Sequence, residues 1–112
     1  MPWAPLNNLS SPVQHGSEGG IIVLDDEHDL GARITLEREC RNAPFAITCG
    51  VYGWMFHTRY FATSGEAHGE FDQMKAALGE ILDLIPRVDD PEVDARGRRV
   101  TEAIEAFVAR FP

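Results

Sequence analysis

The stretch that decides the fold runs from Ile21 to Ala62 and reads IIVLDDEHDLGARITLERECRNAPFAITCGVYGWMFHTRYFA. Its apolar period is two. Ile21-Ile22-Val23-Leu24 is a β-rich run, and Asp25-Asp26-Glu27-His28-Asp29-Leu30-Gly31 after it has the chemistry of a turn. Ala32, Ile34 and Leu36 then alternate with Arg33, Thr35 and Glu37, the pattern of a half-buried strand. Arg41-Asn42-Ala43-Pro44 breaks the run. Phe45, Ile47, Cys49 and Val51 alternate with Ala46, Thr48 and Gly50, Tyr52-Gly53 supplies a turn, and Trp54 to Ala62 form a fourth run. Four strands joined by short breaks predict an antiparallel meander.

On the C-terminal side the period turns helical. Thr63 and Glu66 have the spacing of a capping box. Phe71, Met74, Leu78, Ile81, Leu82 and Ile85 form one apolar stripe, and Pro86 ends the helix. Asp90 is placed to cap a second helix with Pro91 at its first position, and Val93, Val100, Ile104, Phe107, Val108 and Phe111 make its stripe. On the N-terminal side, residues 1–20 are rich in Pro, Gly and Ser, which reads as a flexible arm. Trp3, Leu6, Leu9 and Val13 give that arm something to dock with. The expected architecture is therefore α+β: a four-stranded antiparallel β-meander followed by two C-terminal α-helices packed on one face (ββββαα). Residues 21–112 form the single domain.

Composition narrows the function. The chain has 112 residues, 44% of them apolar, and carries 18 acids against 10 bases for a net charge of −8. That balance argues against a nucleic-acid partner, since phosphate binding rests on Lys and Arg. The Arg96, Arg98, Arg99 cluster is partly neutralised by its helical neighbours Asp94 and Glu102. An acidic surface would instead speed docking to a basic protein. No apolar run approaches the roughly 20 residues of a membrane helix, so no membrane partner is expected. Two cysteines, Cys40 and Cys49, outside any metal-ligand spacing, fit free thiols in the cytoplasm.

Strand register supplies the candidate site. With Tyr52-Gly53 as a two-residue loop and Cys40 opposite Phe45, one sheet face carries Ile34, Leu36, Phe45, Ile47, Cys49, Val51, Trp54, Phe56 and Tyr60, the side for the helices. The opposite face then aligns Glu37, Thr48 and His57 in one row and Glu39, Ala46 and Arg59 in the next. Ile22, Leu24, Met55 and Phe61 border them, with Tyr52 at one end. The binding residues this register nominates are Glu37, Glu39, Thr48, Tyr52, Met55, His57, Arg59 and Phe61. Such a face is too apolar at its border to meet only water.

Two functions follow. The first is a small acidic intracellular binding or assembly protein without catalysis, homodimeric through the open sheet face. The rival is a small-molecule binder or enzyme in which Glu37 orients His57 as acid/base and Arg59 holds an anion. No cofactor is implied. The acidic run 25–29 lacks the spacing of a calcium loop, so no metal is expected either.

Overall fold

A computed structural model describes residues 3–6 and 13–112 of the chain. In chain order the elements are strands β1 (Trp3–Pro5), β2 (Ile21–His28), β3 (Ala32–Arg38), β4 (Phe45–Val51) and β5 (Met55–Phe61), then helices α1 (Ser64–Leu84) and α2 (Val93–Arg110). The strands form one sheet in the order β1-β2-β3-β4-β5, every neighbouring pair antiparallel. The fold is the α+β meander with two C-terminal helices that the hydrophobic periods predict.

The fifth strand comes from the arm. Trp3 pairs with His28 across β1 and β2, and the two rings meet edge to face at 5.0 Å. The Lys75 ammonium lies 5.4 Å from the Trp3 ring centre, an arrangement favoured by the ring quadrupole. The arm is held again where the Ile22 N–H donates to the Gln14 carbonyl at 2.9 Å. Leu9 lies outside the described residues.

The acidic run is strand rather than turn. β2 extends through His28, and the reversal falls at Asp29-Leu30-Gly31, with Gly31 at φ 109°. The carboxylates enter the strand because each finds a partner: Asp25 takes Arg33, Asp26 takes Lys75 at 2.8 Å, and Glu27 takes the Tyr52 hydroxyl. His28 is consequently buried.

Both hairpin registers depart from expectation, with unequal consequences. Arg38, not Cys40, lies opposite Phe45. This slip of two residues leaves the faces of β3 and β4 unchanged. Glu39 stands beyond the strand at φ 54°, its side chain in an exposed ion pair with its neighbour Arg38 and its N–H donated to the Pro44 carbonyl at 2.7 Å. In the next hairpin Val51 lies opposite Met55, so the loop has three residues, Tyr52-Gly53-Trp54. A two-residue turn of the favoured Asn-Gly type needs positive φ at both positions, which Tyr resists. Adding Trp54 confines positive φ to Gly53, at 82°. That single residue reverses every side chain of β5.

The core is therefore not quite the expected one. Ile34, Leu36, Ile47, Cys49 and Val51 pack against Phe71, Met74, Leu78, Ile81 and Leu82 of α1, and Phe61, Val100, Phe107 and Phe111 complete the cluster. Phe56 and Tyr60, expected inside, face away from the helices and are exposed, as is Trp54 in the turn. Thr63 caps α1 by accepting the Glu66 N–H at 3.2 Å. α2 starts at Val93 rather than Pro91, because the Asp90 carboxylate accepts the Glu92 N–H at 2.8 Å and closes a turn first. Both cysteines are free. Among the described residues no helix is long and apolar enough to cross a membrane.

Candidate functional site

The sheet face turned away from the helices is built from three rows. Ile22, Glu37, Ala46 and Tyr60 form one; Asp25, Thr35, Thr48 and Thr58 the next; Glu27, Arg33, Gly50 and Phe56 the third. An extra residue at Val23 in β2 keeps both Ile22 and Asp25 on this side, since the register shifts between Ile22 and Leu24.

Over β2 and β3 the face is charged and closed. Asp25 is only 3% exposed. It receives Arg33 in bidentate fashion, Nε at 2.9 Å and Nη2 at 2.7 Å, and the Thr35 hydroxyl at 3.0 Å. Fork-to-fork pairing of this kind is the stronger sort of ion pair. The hydrogen bond to Asp25 raises the Arg33 guanidinium above its ordinary value, against the effect of burial. Glu37 is fully buried. Its carboxylate accepts the N–H groups of Glu18 at 3.2 Å and Gly20 at 3.0 Å, so the turn through residues 16–20 is clamped over the sheet. Gly16 is required there: a Cβ on it would stand 2.3 Å from the Glu37 carboxyl carbon.

Over β4 and β5 the face is neutral and open. Thr48 and Thr58 share a hydrogen bond at 3.4 Å. Phe56 lies across the strand from Gly50, which it needs bare, since a Cβ there would be 2.7 Å from the ring. The outer side of that ring meets solvent, and Phe56 is 78% exposed. Tyr60, two rows along the same face, and Tyr52 in the turn are exposed as well, whereas the Trp54 indole reaches toward Gly97 of α2 on the helix side. The hydroxyl of Tyr52 donates to Glu27 at 2.7 Å and that of Tyr60 to Glu18. Both phenols are raised above their ordinary value, Tyr52 by burial first and Tyr60 by its hydrogen bond to Glu18. Where the two halves meet, the small residues Gly50 and Thr48 floor a concavity of about 340 Å³, walled by Arg33, Tyr52, Phe56 and the turn at His15.

The candidate residues are divided by this geometry. Glu37, Thr48 and Tyr52 lie on or beside the open face as expected. Met55, His57, Arg59 and Phe61 do not; they follow β5 to the helix side, and Glu39 lies outside the strand. The His57 Nε2 meets the Phe111 carbonyl, and its ring stands edge-on to Phe107. Arg59 donates to Glu70 at 2.8 Å and to the Pro112 carbonyl at 3.2 Å, with its guanidinium over Phe61. Glu37 therefore cannot orient His57, because the sheet lies between them. Cys49, opposite His57, is pushed up to about 12 by burial, against a weaker lowering by Arg59, and so is held as an unreactive thiol.

Residues missed by sequence reasoning are Phe56 and Tyr60, assigned to the core, and Asp25, assigned to a turn. One signal could have found the first two: Tyr52 ahead of Gly53 demands the longer loop. Among the described residues no group of three or more His, Cys, Asp or Glu side chains is placed to hold a metal ion. Comparison with known protein families, with curated proteins and with solved structures gives no match.

Proposed function

We propose that this chain is a non-catalytic assembly module that binds a second copy of itself through the β4–β5 half of its sheet. The observation that carries this reading is the exposure of Phe56, at 78%, on the same face as the exposed Tyr60 and with Tyr52 exposed in the adjoining turn. Aromatic side chains gathered in this way are the usual material of interface centres. Charge supports the same half. Although the chain carries 18 acids, none falls between Glu39 and Glu66, so two copies with a net charge of −8 repel least at this hairpin. The free thiols Cys40 and Cys49 support a cytoplasmic setting.

Sedimentation velocity across a concentration series tests the reading. The expected result is a dimer that dissociates on dilution, with Phe56→Glu weakening association at least about tenfold, a loss of roughly 1.4 kcal/mol. A wild-type chain that stays monomeric at about 100 μM, where even a weak specific dimer is populated, would falsify it.

A second reading is favoured by the concavity itself. Its volume of about 340 Å³ falls within the range of small-molecule sites. Its lining would suit a small aromatic molecule stacked on Phe56 and hydrogen-bonded to Thr48. Saturation-transfer NMR with benzyl alcohol and benzamide as probes would distinguish this reading, through signal that Phe56→Ala abolishes.

A further inference from the structure

Resting on the proposal that the β4–β5 half receives a second copy, we infer that the contact is strand addition. β5 of one chain pairs antiparallel with β5 of another about a two-fold axis at Thr58, joining two five-stranded sheets into one of ten. The two edges of the sheet are not alike. β1 has three residues, Trp3–Pro5, and includes a proline. β5 has seven, Met55–Phe61, with no Pro, Gly, Lys or acid among them. Short length, proline and charge are the devices that stop a sheet edge from pairing with other chains. β1 has two of them. β5 has one cation, Arg59, whose charge is taken by Glu70 at 2.8 Å on its own chain.

Closure supports the same partner. A strand that pairs antiparallel with its own copy generates a two-fold axis, an isologous contact. Both outer edges of the resulting sheet are then β1, already blunted. Assembly stops at two rather than continuing as a filament.

Side chains agree with this register. With Thr58 on the axis, Phe56 of one chain stands opposite Tyr60 of the other, twice, on the open face. Aromatic cross-strand pairs of this kind stabilise a sheet. On the helix side His57 stands opposite Arg59, which is already neutralised. No carboxylate opposes another.

The axis makes a sharp test, because Thr58 alone in β5 must face itself. Like charges directly opposite one another destabilise a strand pair and unlike charges support it. Thr58→Glu and Thr58→Lys should each sediment as monomers under conditions where the wild type is dimeric, and an equimolar mixture should recover the dimer. In a Cys40→Ser background, Thr58→Cys should form an intermolecular disulfide on mild oxidation, since paired strands bring Cα atoms within about 5.5 Å. Val88→Cys, at a site 96% exposed, serves as the control for random collision. If the wild type is dimeric but the mixture fails to recover it and Thr58→Cys crosslinks no faster than the control, strand addition is wrong while assembly stands. If the wild type is monomeric throughout, both fall.

Discussion

The two halves of one sheet face solve the same problem in opposite ways. Over β2 and β3 the polar groups are turned inward, matched in pairs and covered by the chain's own 16–20 turn. Over β4 and β5 charge is nearly absent, the middle is cut down to Ala46, Thr48 and Gly50, and the aromatic rings are left outside. Asp25 and Thr58 stand in the same row, yet one is buried in a bidentate ion pair and the other shares a hydrogen bond with a threonine. The difference teaches that a self-covered half stabilises the monomer, whereas an uncovered half contributes only when something else covers it.

The largest test of that contrast is Asp25→Ala. Removing one member of a buried pair leaves the other charge uncompensated and costs up to about 3–5 kcal/mol. Arg33 keeps substantial solvent access, with its side chain 46% exposed, so a loss of about 2 kcal/mol is expected, read from urea unfolding at low protein concentration. Thr58→Ala, in the same row, should change monomer stability by less than about 0.5 kcal/mol. The opposite order would break the comparison.

Next in size is Gly16→Ala. The new methyl must displace the Glu37 carboxylate from the Glu18 and Gly20 N–H groups, leaving buried polar groups short of partners at about 1–3 kcal/mol. Faster proteolysis within residues 15–20, with the helices still protected, would locate the damage on the lid. His28→Ala should cost about 1 kcal/mol through loss of its edge contact with Trp3. Trp3 fluorescence should then move toward the solvent-exposed value.

The smallest effect is confined to alkaline solution. Burial raises the Cys49 thiol from its ordinary 9.0 to about 12. The unfolded chain therefore loses that proton first as pH rises. Stability from this group is full below pH 9 and is lost as pH climbs toward 12. Cys49→Val should flatten the decline in melting temperature at the start of that window, and an unchanged slope would show that the thiol is not its source.

Much of this architecture is legible in the sequence, and the failures have physical causes. The helices follow from their stripes and from Thr63 and Pro86. Strands β3 and β4 follow from strict alternation. The run 25–28 was unreadable as strand because its carboxylates are neutralised by Arg33, Lys75 and Tyr52, partners remote in sequence. β1 was hidden for a related reason: three residues have no period, and what fixes them is the Trp3 contact with His28 and Lys75. The candidate site failed on a single residue of loop length. Trp54 belongs to the turn, and that sufficed to carry His57 and Arg59 through the sheet.

Sequential strand order has a consequence for how the chain acquires its structure. Every strand pairs with its neighbour in the chain, so β2 to β5 can be joined by closing short loops, whose entropic cost is small. Such local pairing favours fast folding over the slow search of sheets with distant partners. β1 is the exception, since the connection from Pro5 to Ile21 is the longest between paired strands. It should dock after the hairpins have formed, so the signal from Trp3 in a refolding experiment should report the last step and not the nucleus.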